Sequence, residues 1–290
     1  MNLAEKLQDI NEIISEVKTD GKKENLKIEM IFKIVDGLKE ILEEDRKQKY
    51  PLFLTVHEQF LLKVVKNIVN KPQTNYIIGI TGESASGKTT LVNYATKALL
   101  RGDEDDLYTV ISCDDYYYDT SKELKEAGSY EQLYLSGFSF DTPKAINLEL
   151  MKAHLISLKN GCGVIAPEYN FVTCESNPNT IYKKPSKVIL NEGLYVLNDT
   201  MQGIHDIKIY IYTPFNVIKD RWFARAALRG KTGKAADLQF ADVNETAQTY
   251  IRPTMNNADV VISGLTSADY IQYLTTKILN FVREITLFYR

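Results

Sequence analysis

The sequence predicts an α/β fold, a parallel β-sheet with helices on both faces, and three observations predict it. From Asn75 onward, short apolar runs alternate with helical stretches, the pattern of strand–helix–strand units that build such a sheet. The first run, Tyr76-Ile77-Ile78-Gly79-Ile80, leads into Gly82-Glu83-Ser84-Ala85-Ser86-Gly87-Lys88-Thr89 and then an apolar-patterned helix from Leu91 to Leu100. Two later strands end in acids: Tyr108 to Ser112 runs into Cys113-Asp114-Asp115, and Ser186 to Leu190 into Asn191-Glu192-Gly193.

The second observation carries the chemistry. Strand, G-x-x-x-x-G-K-S/T loop and helix in that order form a phosphate-binding loop. Its glycines let backbone N–H groups approach phosphate oxygens, and the helix N-terminus adds a positive dipole end. Lys88 would reach the β- and γ-phosphates, and the Thr89 hydroxyl would hold Mg²⁺. The expected class is therefore a P-loop NTPase three-layer sandwich, binding a nucleoside triphosphate through Gly82, Ser84, Ala85, Ser86, Gly87, Lys88, Thr89 and Thr90.

Composition narrows the rest. The chain has 290 residues, 44% hydrophobic and 25% charged, enough for one large domain with an appendage. A net charge of −3 gives no general attraction to nucleic acid or an anionic membrane. The start Met1-Asn2-Leu3-Ala4-Glu5-Lys6 lacks a signal-peptide core, and no apolar run approaches a membrane span. Cys113, Cys162 and Cys174 show no metal-type spacing, and His57, His154 and His205 are scattered. Free thiols in a reducing cytoplasm are expected.

Residues 1–72 read as a helical region and 73–290 as the main domain. Leu3, Leu7, Ile10, Ile14 and Val17 give one stripe, and Ile31, Ile34, Val35, Leu38, Ile41 and Leu42 a second. Val56, Phe60, Val64 and Ile68 suggest a third, ending before Pro72. The region is either an appendage packed on the main domain or an oligomerisation surface, so a homo-oligomer stays open.

Within the main domain, ligands are expected beyond the carboxyl ends of the strands. Asp114 there is either a base for an attacking hydroxyl or part of an acidic turn. After Phe138-Ser139-Phe140-Asp141, Thr142 and Pro143 are expected to start a helix that runs from Lys144 to Asn160. Asp141 would then serve the helix dipole or a substrate hydroxyl. Gly163 to Phe171 reads as a strand leading into an aromatic loop. Glu192 is either a metal ligand or a plain strand-end acid. Ile207 to Tyr212 and Ala258 to Ser263 are further strands, and Ser267 caps a closing helix. Between those strands Arg221, Arg225 and Arg229 share a helical face. With Lys231, Gly233 and Lys234 they form either a phosphate-clamping lid, about residues 219–236, or an ordinary solvated face.

Together these motifs resemble the uridine kinase, phosphoribulokinase and pantothenate kinase group of P-loop kinases. The resemblance is closest to uridine kinase in Ser112 to Tyr117, Phe140 to Pro143, Ala166 to Phe171, Glu192 to Leu194 and Pro253 to Val260. It implies an ATP- and Mg²⁺-dependent kinase acting on the primary hydroxyl of a small molecule, first of all uridine or cytidine. Asp114 would be the general base, with Lys88 and Arg225 also catalytic. Arg225 and Arg229 would close on the phosphates, and Thr89 and Glu192 would serve the metal. Tyr117, Phe140, Asp141, Tyr169, Phe171, Cys174 and Arg221 would form the acceptor site. Three positions depart from the uridine kinase pattern: Cys174 stands for a histidine, Asn170 for an acid, and Ile218 for an arginine near the start of the lid helix, with Lys219 and Arg221 nearby. The long N-terminal helical stretch and Glu192-Gly193-Leu194-Tyr195-Val196-Leu197 lean instead toward pantothenate kinase. A nucleotide-binding regulatory protein is the alternative from another class.

Overall fold

The computed structural model describes residues 22–57, 60, 63–64, 75–99 and 108–288. The stripe from Leu3 to Val17 lies outside the described residues.

Among the described residues, eight strands divide between two sheets. The main sheet contains β1 (Phe53–Val56), β2 (Tyr76–Gly82), β3 (Tyr108–Ser112), β6 (Val188–Glu192), β7 (Ile207–Tyr212) and β8 (Val260–Ser263), in the order β1-β8-β7-β2-β6-β3. All its pairings are parallel except β1 with β8. The remaining strands, β4 (Val164–Asn170) and β5 (Glu175–Lys183), form a separate antiparallel hairpin.

Side-chain alternation along the strands supplies two cores. One face carries Ile77, Ile111, Ile189, Tyr210 and Val261, covered by Met151, Leu155 and Leu158. These three come from a single helix, Leu148–Lys159. The other face carries Ile80, Leu190, Ile211, Val260 and Ile262, covered by Val92, Ile271 and Leu274. Helices Lys88–Leu99 and Ala268–Phe288 supply that second cover. Three layers result, as expected.

In chain order the helices are α1 (Lys22–Arg46), α2 (Lys88–Leu99), α3 (Ser121–Ala127), α4 (Tyr130–Leu135), α5 (Leu148–Lys159), α6 (Phe215–Leu228), α7 (Gly233–Thr246) and α8 (Ala268–Phe288). Ile31, Ile34, Val35 and Ile41 bury the apolar stripe of α1.

Several expectations need correction. The third N-terminal stripe was expected to be helical from Val56, but Phe53–Val56 is an edge strand of the main sheet. Buried Asp45 fixes it there, accepting from the N–H groups of Leu52 and Phe53 at 2.8 Å each. The expected helix at Thr142 begins later. Pro143–Ala145 is a 3₁₀ turn, and the Asn147 side chain caps α5 by accepting from Leu150 N. Ile146 between them bridges to Tyr117. Finally, the basic segment at about 219–236 spans the end of α6, a short turn and the start of α7, in a helical hairpin. Trp222, Ala226, Ala236 and Val243 pack α6 against α7, with Phe223 and Phe240 alongside.

Candidate active site

The parallel register brings three chemically loaded strand ends to one edge of the sheet. Ile80 of β2 lies beside Glu192, and Ser112 of β3 lies on the other side of the same Glu192. β2 passes directly into the loop at residues 82–89. Gly82 and Gly87 have φ of 154° and 108°, and a Cβ at Gly82 would meet the Ile211 carbonyl at 2.6 Å. Only glycine suits such a backbone. Ala85 is left-handed too, with φ 65°.

Lys88 is buried and its ammonium donates to the carbonyls of Gly82 and Glu83 at 2.9 Å each. Burial pushes the ammonium below its ordinary value, opposed by the nearby charges of Glu192 and Asp114. Burial raises the Glu192 carboxyl, with Asp114 adding to the effect and Lys88 opposing it. Ser112 organises this pair of acids. Its hydroxyl donates to Glu192 Oε1 at 2.9 Å and accepts from Asp114 N at 3.4 Å.

Two cavities meet at this point. One, of about 390 Å³, is lined by Ala85, Gly87, Thr90, Ser263, Gly264 and Arg221. The other, of about 440 Å³, takes in Ser84, Asp114, Glu192 and a group of aromatic rings. Lys88, Thr89 and Arg225 line both. Arg225 reaches the loop directly, donating to Ser84 Oγ at 2.6 Å.

The larger cavity gathers Tyr117, Phe140, Asp141, Tyr169, Phe171 and Cys174. The rings of Tyr117, Tyr169 and Phe171 contact one another with centroids 5.0 to 5.7 Å apart. Cys174 has a left-handed backbone, φ 57°, and its thiol meets Tyr130 Oη at 3.3 Å. Asp141 is buried, and its carboxyl is pushed up to about 7 by burial and by Asp242. The loss of water around the ionised form is the larger cause.

Residues 77–270 match the Phosphoribulokinase / Uridine kinase family. The chain belongs to that family. Uridine kinases of Staphylococcus epidermidis and Brevibacillus brevis are 32% and 33% identical over 212 residues. Each match covers 72% of this chain, with 97% and 94% of the relatives. A possible uridine kinase from Bacillus stearothermophilus superposes with a TM-score of 0.44 at 20% identity, covering 70% of this chain and 95% of that one. Membership in the phosphoribulokinase and uridine kinase family makes this protein a phosphotransferase with an alcohol acceptor, and implies ATP as co-substrate.

Several expected site residues sit apart from the group each was expected to join. Arg221, expected with the acceptor set, lines the smaller cavity and donates to the Gly264 carbonyl at 3.0 Å. Gly82 and Ser86 are buried within the loop and line neither cavity, and Arg229 lines only the larger one. Other residues emerge only in three dimensions. Lys231 enters the larger cavity with its ammonium 4.0 Å from the Tyr130 ring centroid. Trp222, Gln239 and Val243 bring the α6–α7 hairpin onto the same cavity. Lys231 stood among the lid residues in the sequence, but nothing there pointed it at an aromatic ring.

The donor set also suits the metal that such kinases use. Thr89 and Glu192, both carrying side-chain oxygens, line one cavity, and Mg²⁺ takes one or two protein oxygens together with phosphates and water. Among the described residues no group of three His, Cys, Asp or Glu side chains gathers to hold a metal unaided. Nor is any helix among them long and apolar enough to cross a membrane.

Proposed function

We propose that the protein transfers the γ-phosphoryl group of ATP to the primary 5′-hydroxyl of uridine or cytidine, with Mg²⁺ required. The observation that carries this reading is the pair of cavities sharing Lys88, Thr89 and Arg225. A donor in one and an acceptor in the other would meet at cationic groups, as transfer of a charged phosphoryl needs.

Each residue then has a task. The loop from Gly82 to Thr90 cradles the triphosphate, with Lys88 neutralising its charge. Thr89 and Glu192 would hold the metal, which would supply charge neutralisation at the phosphates. Asp114 accepts the acceptor hydroxyl's proton. Arg225 of α6 and Arg229, just past its C-terminal end, close over the transferring group, and closure excludes water. Tyr117, Phe140, Tyr169 and Phe171 wall the base, while Asp141 binds sugar hydroxyls. The three free thiols support a reducing, cytoplasmic setting.

A second reading, an acceptor that carries its own anion as pantothenate does, is favoured by one observation. Arg229 and Lys231 enter the larger cavity over the rings of Phe171 and Tyr130, and among the described residues neither has a carboxylate within salt-bridge distance.

Incubation with Mg-ATP and separate pools of uridine, cytidine, pantothenate and ribulose 5-phosphate tests both readings, with products identified by mass. An added phosphoryl on uridine or cytidine supports the first reading. Product from an anionic alcohol alone replaces it with the second. No product from any pool, with ATP still bound, overturns both.

A further inference from the structure

Glu83 is the second residue of the phosphate loop, and it puts a carboxylate where the chain has to receive a highly negative ligand. Its side chain is only 13% exposed, so water screens it poorly. The structure supplies a partner from far away in sequence. Arg252 donates through Nε to Glu83 Oε1 at 3.0 Å and through Nη2 to Glu83 Oε2 at 2.9 Å. This two-pronged geometry is the strongest that an arginine and a carboxylate can form.

The guanidinium is itself held. Nη2 also donates to Asn244 Oδ1 on α7 at 2.9 Å, and the group lies 5.9 Å from the Phe215 ring centroid at the start of α6. Glu83 is held at its other end as well. Its carbonyl accepts from Ser86 N at 3.0 Å and from the Lys88 ammonium at 2.9 Å. A single residue of the loop is thus tied inward to Lys88 and outward to both lid helices. Neither Glu83 nor Arg252 lines the two cavities, so Arg252 acts through Glu83.

We propose that Arg252 is the counter-charge that lets this phosphate loop carry an acid, and that it thereby sets the affinity for the nucleoside triphosphate. The proposal rests on reading residues 82–89 as the triphosphate site. With the pair intact the loop presents no net negative charge from Glu83. With Arg252 removed, a poorly hydrated carboxylate remains beside the loop and opposes the phosphates. With Glu83 removed, the guanidinium is released as an extra positive charge. The two single substitutions therefore act in opposite directions, which a merely structural clamp would not produce.

The test is a four-protein cycle of the full chain: parent, Arg252→Gln, Glu83→Gln and the double variant. Each is titrated calorimetrically with β,γ-methylene ATP and magnesium, and its folding is checked by thermal melting. The expected result is affinity weakened about tenfold or more in Arg252→Gln, as like-charge contacts cost. Glu83→Gln should bind at least as tightly as the parent, and the double variant should recover most of the loss. A double variant no tighter than Arg252→Gln overturns the proposal, as does an Arg252→Gln protein that binds like the parent. Should Arg252→Gln not melt cooperatively, Arg252→Lys decides: affinity within about threefold of the parent supports the charge argument, and a tenfold loss refutes it. A parent that binds no triphosphate removes the reading of the loop and this proposal together. A parent that binds, with opposite signs lacking in the singles, removes this proposal alone.

Discussion

The Ser112 hydroxyl donates to Glu192 Oε1 across 2.9 Å, joining the ends of two neighbouring parallel strands. The same oxygen accepts from the backbone N–H of Asp114. One small side chain thus sets the position of both acids that face Lys88.

Ser112→Ala should lower kcat by about tenfold or more, the usual cost of removing a group that orients a metal ligand. The magnesium concentration needed for half-maximal rate should rise, while the melting temperature changes little. Steady-state rates across a magnesium series check this, and an unchanged magnesium dependence would separate Ser112 from Glu192.

Asp114→Asn should reduce kcat by about a hundredfold or more, the contribution typical of a positioned base. Affinity for Mg-ATP should stay within about threefold, since the loop and Lys88 are untouched. Turnover at the parent rate would dismiss Asp114 as the base.

Asp141 gives a pH dependence whose sign follows from its carboxyl. Burial first, then Asp242, pushes the folded-state value up from 3.8 to about 7. The folded protein therefore holds a proton that the unfolded chain has released once pH exceeds the ordinary value. Stability from this group is fully present below about pH 4 and is lost as pH rises toward 7. Asp141→Asn should flatten that decline, read as urea midpoints at about pH 5 and about pH 8. Parallel declines in parent and variant would show that Asp141 holds no such proton.

Gly193 follows Glu192 with φ of 151°, and a Cβ there would overlap Cys113 Cβ. Gly193→Ala should cost about 3 kcal/mol or more, from a strained backbone and an overfilled core. Thermal melting checks it. A variant as stable as the parent would mean that β3 and β6 can move apart at their ends.

The loop at residues 82–89 and the strands around it were legible because each is a local signal. Glycine spacing, apolar runs and strand-end acids can be read within a dozen residues, and the family model spans the same segment. What escaped was non-local or fell between two local signals. The β4–β5 hairpin contains Asn177, Pro178 and Asn179 in its second strand, residues that argue against a strand until a partner is known. Pro143 correctly marks a turn, but Asn147 begins the helix, because Ile146 is needed for the bridge to Tyr117. Arg221, Arg225 and Arg229 share a helical face as the spacing requires. Yet Arg229 falls just past the end of α6, and Arg221 reaches Gly264 while Arg229 meets Phe171. Glu83 and Arg252 lie 169 positions apart, and no periodicity joins them.

The antiparallel strand β1 has a consequence for how the molecule behaves as a polymer among its own copies. All four residues of β8 are buried, and β1 occupies the hydrogen-bonding side that β8 turns away from β7. A chain cut before residue 57 would keep every group proposed for chemistry and would lose this cover. Its sheet would then end in an apolar ribbon with open backbone donors and acceptors, the kind of edge on which one chain recruits the next. β1 is therefore an insulator. It keeps the sheet from becoming a template, through residues that line neither of the two cavities.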